Sequence, residues 1–145
     1  MAIQEDLVLG FDFGEVRIGV AKGNTLTKSA SPLAIIDGRT NRVKWASIQA
    51  LLDEWQPGAV VVGIPCHPDG KPHAVTCKAM RFARQIQERF RSRGLLVHTV
   101  DERYSSVEVD THDGRAIDDE AAAVILQQWF NEGEPQRPPV DWVEL

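Results

Sequence analysis

Several common features are scarce or missing in this 145-residue chain, and each gap removes a class of protein. No apolar run is long enough to cross a bilayer, since a spanning helix needs about twenty apolar residues. The opening Met1-Ala2-Ile3-Gln4-Glu5-Asp6 has no basic start and no apolar signal core, so the expected location is the cytoplasm, with no membrane partner. Two cysteines, Cys66 and Cys77, are too few for a disulfide scaffold. His67 and His73 stand near them, but the spacing lacks the CxxC pair of a structural zinc site. There is no internal repeat and no low-complexity tract. Nor is there a general excess of base: the net charge is −5, which argues against binding nucleic acid through bulk charge alone.

What remains is ordinary globular composition, 43% apolar and 26% charged, in a length that suits one domain. We read residues 1–145 as that single domain, with 131–145 as a proline-containing C-terminal tail. Leu7-Val8-Leu9-Gly10-Phe11-Asp12-Phe13 is expected to be a buried strand ended by Gly14, with Arg17–Ala21 as its hairpin partner and a third strand around Ala34–Ile36. Trp45, Ile48, Leu51, Leu52 and Trp55 recur at helical steps, which predicts a helix over Val43–Trp55 stopped by Pro57-Gly58. Ala59–Pro65 reads as a central parallel strand covered on both faces. A loop to His73 leads into a second helix, Val75–Arg93, ended by Gly94. Leu95–Val100 is a further strand running out at Asp101-Glu102-Arg103, and Ser105 or Ser106 is placed to cap a short helical stretch. A last helix starts at Asp118 or Asp119 and reaches Phe130, with Ala122, Ile125, Leu126 and Trp129 inward. Trp142, Val143 and Leu145 are candidates to pin the tail. A hairpin followed by βαβ units implies an α/β fold: a mixed sheet with an antiparallel start, parallel strands, and helices on both faces.

The acids sit at telling places. Asp12 interrupts an apolar strand between Phe11 and Phe13, where a charge is costly unless paired or bound to a metal. Glu102 lies where a central strand runs out, the end at which open α/β sheets gather their sites. Asp118 opens the helix that follows. Three carboxylates so placed can converge on hard divalent cations, which favour oxygen ligands. Two such cations can serve phosphodiester hydrolysis. Each acid also has a plainer reading: Asp12 paired with Arg17, Glu102 bridged to Arg103, Asp118 as a helix N-cap. Charge elsewhere is segregated. Lys78, Arg81, Arg84, Arg89, Arg91 and Arg93 face one acid, Glu88, between positions 78 and 93, while acids dominate from Asp101 to Glu120. Lys78, Arg81 and Arg84 share a helical face and are candidates to grip a phosphate backbone.

Phe11-Asp12-Phe13-Gly14-Glu15-Val16-Arg17-Ile18-Gly19-Val20-Ala21 resembles the opening motif of the YqgF-type nucleases, the Holliday-junction-resolvase-like, pre-16S ribosomal RNA nucleases of bacteria. The resemblance continues at Val61-Val62-Gly63-Ile64-Pro65, at Asp69-Gly70, at Thr76 and at Phe82-Ala83, then at Asp101-Glu102-Arg103-Tyr104-Ser105-Ser106, similar to the family's DERLST, and closes at Asp118 with Ala121-Ala122 and Ile125-Leu126. It spans about residues 7–130, and several motifs in one order are far more specific than any one of them. The resemblance implies a ribonuclease-H-like fold and phosphodiester hydrolysis with Mg²⁺ or Mn²⁺, on pre-16S rRNA or on branched DNA, with ribosomal precursor particles as the setting. Its carboxylates map to Asp12, Glu102 and Asp118, with Asp119 an alternative for the last. Arg17, Lys71, Lys78, Arg81, Arg84, Arg103 and Arg115 are the substrate-binding candidates.

Two features depart from the family pattern. Between the DERLST-like motif and the last aspartate the family has a longer, glycine-rich segment with a lysine near its end. Here Val107–Ile117 fills the gap, with Arg115 as the nearest base. After Pro65, His67 and Lys71 stand where the family often has Asn and Thr. Two other classes compete. The first motif is also similar to the phosphate loop of actin-like ATPases, which need a second such domain that 145 residues do not hold. An RNA-binding module of the same fold with weak catalysis is the other. The oligomeric state is left open.

Overall fold

The computed structural model describes residues 4–65, 74–102 and 118–139. Five strands and three α-helices follow one another as β1 (Gln4–Asp12), β2 (Arg17–Asn24), β3 (Ser29–Asp37), α1 (Asn41–Trp55), β4 (Pro57–Ile64), α2 (Ala74–Arg89), β5 (Leu96–Asp101) and α3 (Asp118–Asn131). The strands form one sheet in the order β3-β2-β1-β4-β5. β1 and β2, and β2 and β3, are antiparallel, whereas β4 runs parallel to both β1 and β5. This is the mixed sheet expected from a hairpin followed by βαβ units, with the helices divided between its faces.

The period of two along each strand splits the core into two layers. Leu9, Phe11, Ile18, Val20, Val60, Val62 and Ile64 face α1 and α2, where Trp45, Ile48, Leu52, Phe82 and Ile86 meet them. That layer is rich in rings: Phe82 lies 5.9 Å from Phe11, 5.7 Å from Trp45 and 5.0 Å from Phe13 between centroids. Val8, Ala21, Ala59, Val61 and Val100 face the other way, onto Ala122, Ile125, Leu126, Trp129 and Phe130 of α3. The central positions here are small, and α3 uses the room. A Cβ added at Gly23 would stand 2.8 Å from Leu126 Cδ2, and one at Gly10 would stand 3.1 Å from Leu126 Cβ.

Local chemistry sets several boundaries differently from the sequence expectation. β3 spans nine residues rather than three. It is an edge strand with mostly exposed or half-buried side chains, so the backbone ladder defines it rather than an apolar pattern. It carries Pro32, which an edge tolerates. α1 begins at Asn41 behind Thr40, whose side chain accepts from the Val43 N–H at 3.3 Å. It ends before Pro57: Gln56 takes φ 49° and its N–H returns to the Leu52 carbonyl, while Pro57 already belongs to β4. The α-helical part of α2 stops at Arg89 rather than Arg93, because Phe90 turns into the core and Arg91–Arg93 close as a 3-10 turn against Gly94. The tail is held within its described part by main-chain groups. The Thr99 N–H donates to the Arg137 carbonyl at 2.7 Å, and Trp129 Nε1 donates to the Pro135 carbonyl at 2.8 Å. The expected capping stretch at Ser105-Ser106 and the anchors Trp142, Val143 and Leu145 lie outside the described residues.

Candidate active site

β1, β4 and β5 run parallel, so their carboxyl ends meet at one edge of the sheet, where parallel strands gather functional groups. Asp12 is the last residue of β1 and pairs across to Gly63 of β4, and Gly63 in turn pairs to Val100 of β5. By strand parity Asp12 shares the α3 face with Val8 and Gly10. Glu102 follows the end of β5, and its side chain folds back over Gly63. A Cβ at Gly63 would stand 2.9 Å from Glu102 Oε2 and 2.6 Å from Ile125 Cδ1. The missing side chain at position 63 is therefore the space that the Glu102 carboxylate occupies beside Asp12.

The electrostatics follow from this packing. Burial first, then the charges of Asp12 and Asp101, together push the Glu102 carboxyl from its ordinary 4.5 up to about 8. Carboxylates crowded in a poorly solvated corner repel one another, and a proton or a cation relieves that repulsion. Asp101 is a member of this group that the sequence pattern did not single out. Its neighbour Glu102 drew the attention, although the adjacent acid was itself a hint. Around the rim the turn after Asp12 is tight: a Cβ at Gly14 would collide with the Arg17 carbonyl oxygen at 2.4 Å. Gly14 thus permits the β1–β2 turn to close directly below Asp12. On the far side of the corner Thr76 is fully buried, and its hydroxyl donates to the Pro65 carbonyl. That bond ties the start of α2 to the end of β4.

The other expected site residues fall into three groups. Arg17 lies at the rim and lines a cleft of about 340 Å³ with Val16, Ile35, Ile36, Asp37 and Arg39. The Arg39 guanidinium binds Asp37 through both ends and holds its carboxyl down at about 2. Lys78, Arg81 and Arg84 all lie on α2, as expected from the spacing. Lys78 donates to Glu15 at 2.8 Å, Arg81 is exposed, and Arg84 is half-buried. Lys71, Arg103 and Arg115 lie outside the described residues, as does the short segment 107–117. Asp118 is the first residue of α3, and its side chain is not among those described. Asp119 is half-buried, and its Oδ1 accepts from the Glu120 N–H at 3.0 Å, at the start of its own helix. Among the described residues no three His, Cys, Asp or Glu side chains form a metal-binding group; Asp12 and Glu102 supply two. Cys77 is a free, half-buried thiol. No helix among the described residues is long and apolar enough to cross a membrane.

Known proteins share both the sequence and the fold. A protein of Paraburkholderia xenovorans named "Putative pre-16S rRNA nuclease" is 48% identical over 134 residues, covering 88% of this chain and 90% of its own length. A protein of the same name from Burkholderia vietnamiensis is 50% identical over 134 residues, covering 86% and 88%. Among solved structures, Thermus thermophilus RuvC in complex with a Holliday junction substrate superposes with TM-score 0.57 at 15% identity, covering 92% of this chain and 99% of that one. The fowlpox virus Holliday junction resolvase gives 0.56 at 17%, covering 89% and 99%. These two likenesses establish a ribonuclease-H-like fold. The model of the RuvX Holliday junction resolvase family matches residues 6–132, and the chain belongs to that family of nucleases.

Proposed function

We propose that this chain is a divalent-metal-dependent nuclease that hydrolyses phosphodiester bonds in the maturation of the 5′ end of 16S ribosomal RNA, in the cytoplasm. The observation that carries the reading is the Glu102 carboxylate laid over Gly63 beside Asp12 at the carboxyl edge of the sheet. The names of the close relatives supply the substrate. The donor set fits a hard cation: it is all oxygen, and the negative charge of Asp12 and Asp101 bearing on Glu102 is what a bound Mg²⁺ or Mn²⁺ would offset. Asp12 and Glu102 would hold the metal from the sheet, and Asp118 would complete the set from α3. Position 118 lies one helical turn before Ala122 and two before Ile125, the residue that touches Gly63. Asp119 is the poorer ligand because its carboxylate is turned to the Glu120 N–H.

When bound, such ions supply an activated water and stabilise the leaving oxygen of the phosphodiester. The chain's own share is placement. Asp12 is fixed by its ladder pairings with Gly19 and Gly63, and Glu102 by its contact with Gly63. Ile125 and Ala122 exclude water from the floor beneath them. Arg17 at the rim, and Lys78, Arg81 and Arg84 on α2, would meet backbone phosphates, which need no sequence reading. Lys71, Arg103 and Arg115 are proposed for the same task. Incubation of the protein with a 16S precursor RNA and Mn²⁺, followed by mapping of the ends, tests the reading. Cleavage at or near the mature 5′ end is expected, and an intact precursor would refute it. The family model's description favours a second substrate, a four-way DNA junction, and the same incubation with that DNA separates the two.

A further inference from the structure

On the outer side of the α1–α2 layer two cations share one ring. The guanidinium of Arg89, from α2, lies 4.2 Å from the centroid of Trp45, and Lys44 Nζ, from α1, lies 5.3 Å from the same centroid. Lys44 Nζ is also 5.9 Å from the ring of Phe82. Among the described residues neither cation has a carboxylate in ion-pair range, whereas nearby bases do have one: Lys78 pairs with Glu15 and Arg93 with Asp53.

We infer that Lys44 and Arg89, seated on Trp45, form a clamp for a backbone phosphate of the substrate strand. This rests on the nuclease reading and names a contact that reading does not contain. A structural role covers only part of the arrangement. Arg89 is in the last turn of α2, where the helix dipole favours a cation. Lys44 has no such support. It sits in the first turn of α1, where the dipole disfavours positive charge and no acid is present to offset it. Burial, and then the charge of Arg89, hold its ammonium below the usual lysine range. The ring faces attract each cation, but they do nothing for the repulsion between them. A phosphate bridging the pair removes that repulsion and supplies charge-assisted bonds to both.

The position suits a substrate contact. Phe82 packs on Phe13, the residue after Asp12, so one aromatic layer connects the clamp to the carboxylate corner. Two ring contacts, Trp45 to Phe82 at 5.7 Å and Phe82 to Phe13 at 5.0 Å, separate the clamp from the residue after Asp12. The fixed rings make the spacing between the two points rigid.

The test is binding without cleavage. A labelled single-stranded RNA and a labelled four-way DNA junction are each titrated with wild type, with K44Q/R89Q and with K44R in EDTA at several salt concentrations, and circular dichroism confirms that each variant folds. The clamp predicts that K44Q/R89Q binds about tenfold more weakly, and that log K against log salt becomes shallower by roughly 0.7 for single strands or 0.9 for duplex arms, as for one phosphate released. K44R should remain close to wild type. Loss on one ligand identifies the strand type that the clamp holds. If wild type binds and K44Q/R89Q keeps its affinity and salt slope, the clamp is overturned and the nuclease reading stands. Weaker binding with an unchanged slope also overturns it, because the effect then comes from repacking at Trp45. If wild type binds neither nucleic acid without metal, the clamp is overturned, and cleavage of the precursor RNA with Mn²⁺ decides the nuclease reading separately.

Discussion

The two faces of the sheet are built by opposite means. Toward α1 and α2 the strands present Leu9, Phe11, Ile18, Val20, Val60, Val62 and Ile64, and the helices answer with Trp45 and Phe82. Toward α3 they present Gly10, Gly23, Ala21, Ala59 and Gly63, with α3 close above. The first face is filled by large side chains and is a stability layer. The second is emptied at its centre, and at its upper end the vacated space holds a carboxylate rather than a methyl group. Tolerance to substitution should therefore differ between faces: volume matters on one, and placed charge on the other.

The largest expected effect is on the charged face. Asp12→Asn and Glu102→Gln should each reduce metal-dependent cleavage by about a thousandfold or more while leaving the fold intact, since each removes charge that the cation needs. Turnover with a model RNA, alongside a thermal melt, checks this. A folded Asp12→Asn that cleaves normally would remove the residue from the site.

Gly63→Ala and Val62→Ala, adjacent residues on opposite faces, sharpen the contrast. At position 63 the new Cβ would press on the Glu102 carboxylate and on Ile125. Overpacking of this kind costs about 1–3 kcal/mol, and displacing Glu102 should lower turnover by tenfold or more. Val62 is fully buried on the other face. Its truncation should cost about 1–3 kcal/mol of stability and leave turnover per folded molecule near wild type. Equal kinetic losses for the two would show that the faces are not functionally distinct.

Glu102 gives the pH dependence. Its carboxyl is raised in the folded chain from 4.5 to about 8, so between those values the metal-free fold holds a proton that the unfolded chain has released. The sign follows: this group's contribution to stability is fully present below about 4.5 and is lost as pH rises through about 8. Metal must displace the same proton, so Mn²⁺ affinity should fall by up to about tenfold per pH unit below 8 and level off above it. Calorimetry across that window measures it, and Glu102→Gln should flatten the profile. A pH-independent affinity in wild type would show that Glu102 is ionised before metal arrives.

The smallest effect expected is on the rim. Neutralising Lys78, Arg81 and Arg84 together should weaken RNA binding and flatten its salt dependence with less than about 1 kcal/mol lost from the Lys78–Glu15 pair, which is exposed on both sides. An unaltered salt slope in the binding assay would leave this helix face merely solvated.

Much of this was readable in the sequence. Asp12 stands out because a charge inside an apolar strand breaks an otherwise clear period. α1 and α3 announce themselves by helical spacing, and the mixed sheet follows from element order. The length of β3 was hidden because an edge strand needs backbone partners rather than buried side chains, and Ser31, Pro32 and Leu33 show no alternation. The stop at Arg89 was hidden because the basic run after it continues a helical composition, while the decision rests on where Phe90 packs. Gly63 looked like a strand glycine. Its meaning depends on Glu102, thirty-nine positions later, folding over it, and such a contact has no local signature. Lys44 drew no attention in the sequence, and Arg89 stood only as one member of the basic run, for the same reason.

Asp12 and Glu102 are proposed as the sheet-borne ligands of a divalent-metal site on the glycine-lined face. Isothermal titration of Mn²⁺ into wild type and Asp12→Asn at a pH above 8 tests it without any substrate. Saturable binding in wild type that falls by at least about a hundredfold in the folded variant is the predicted result. Undiminished binding in Asp12→Asn, or none in wild type, would contradict it.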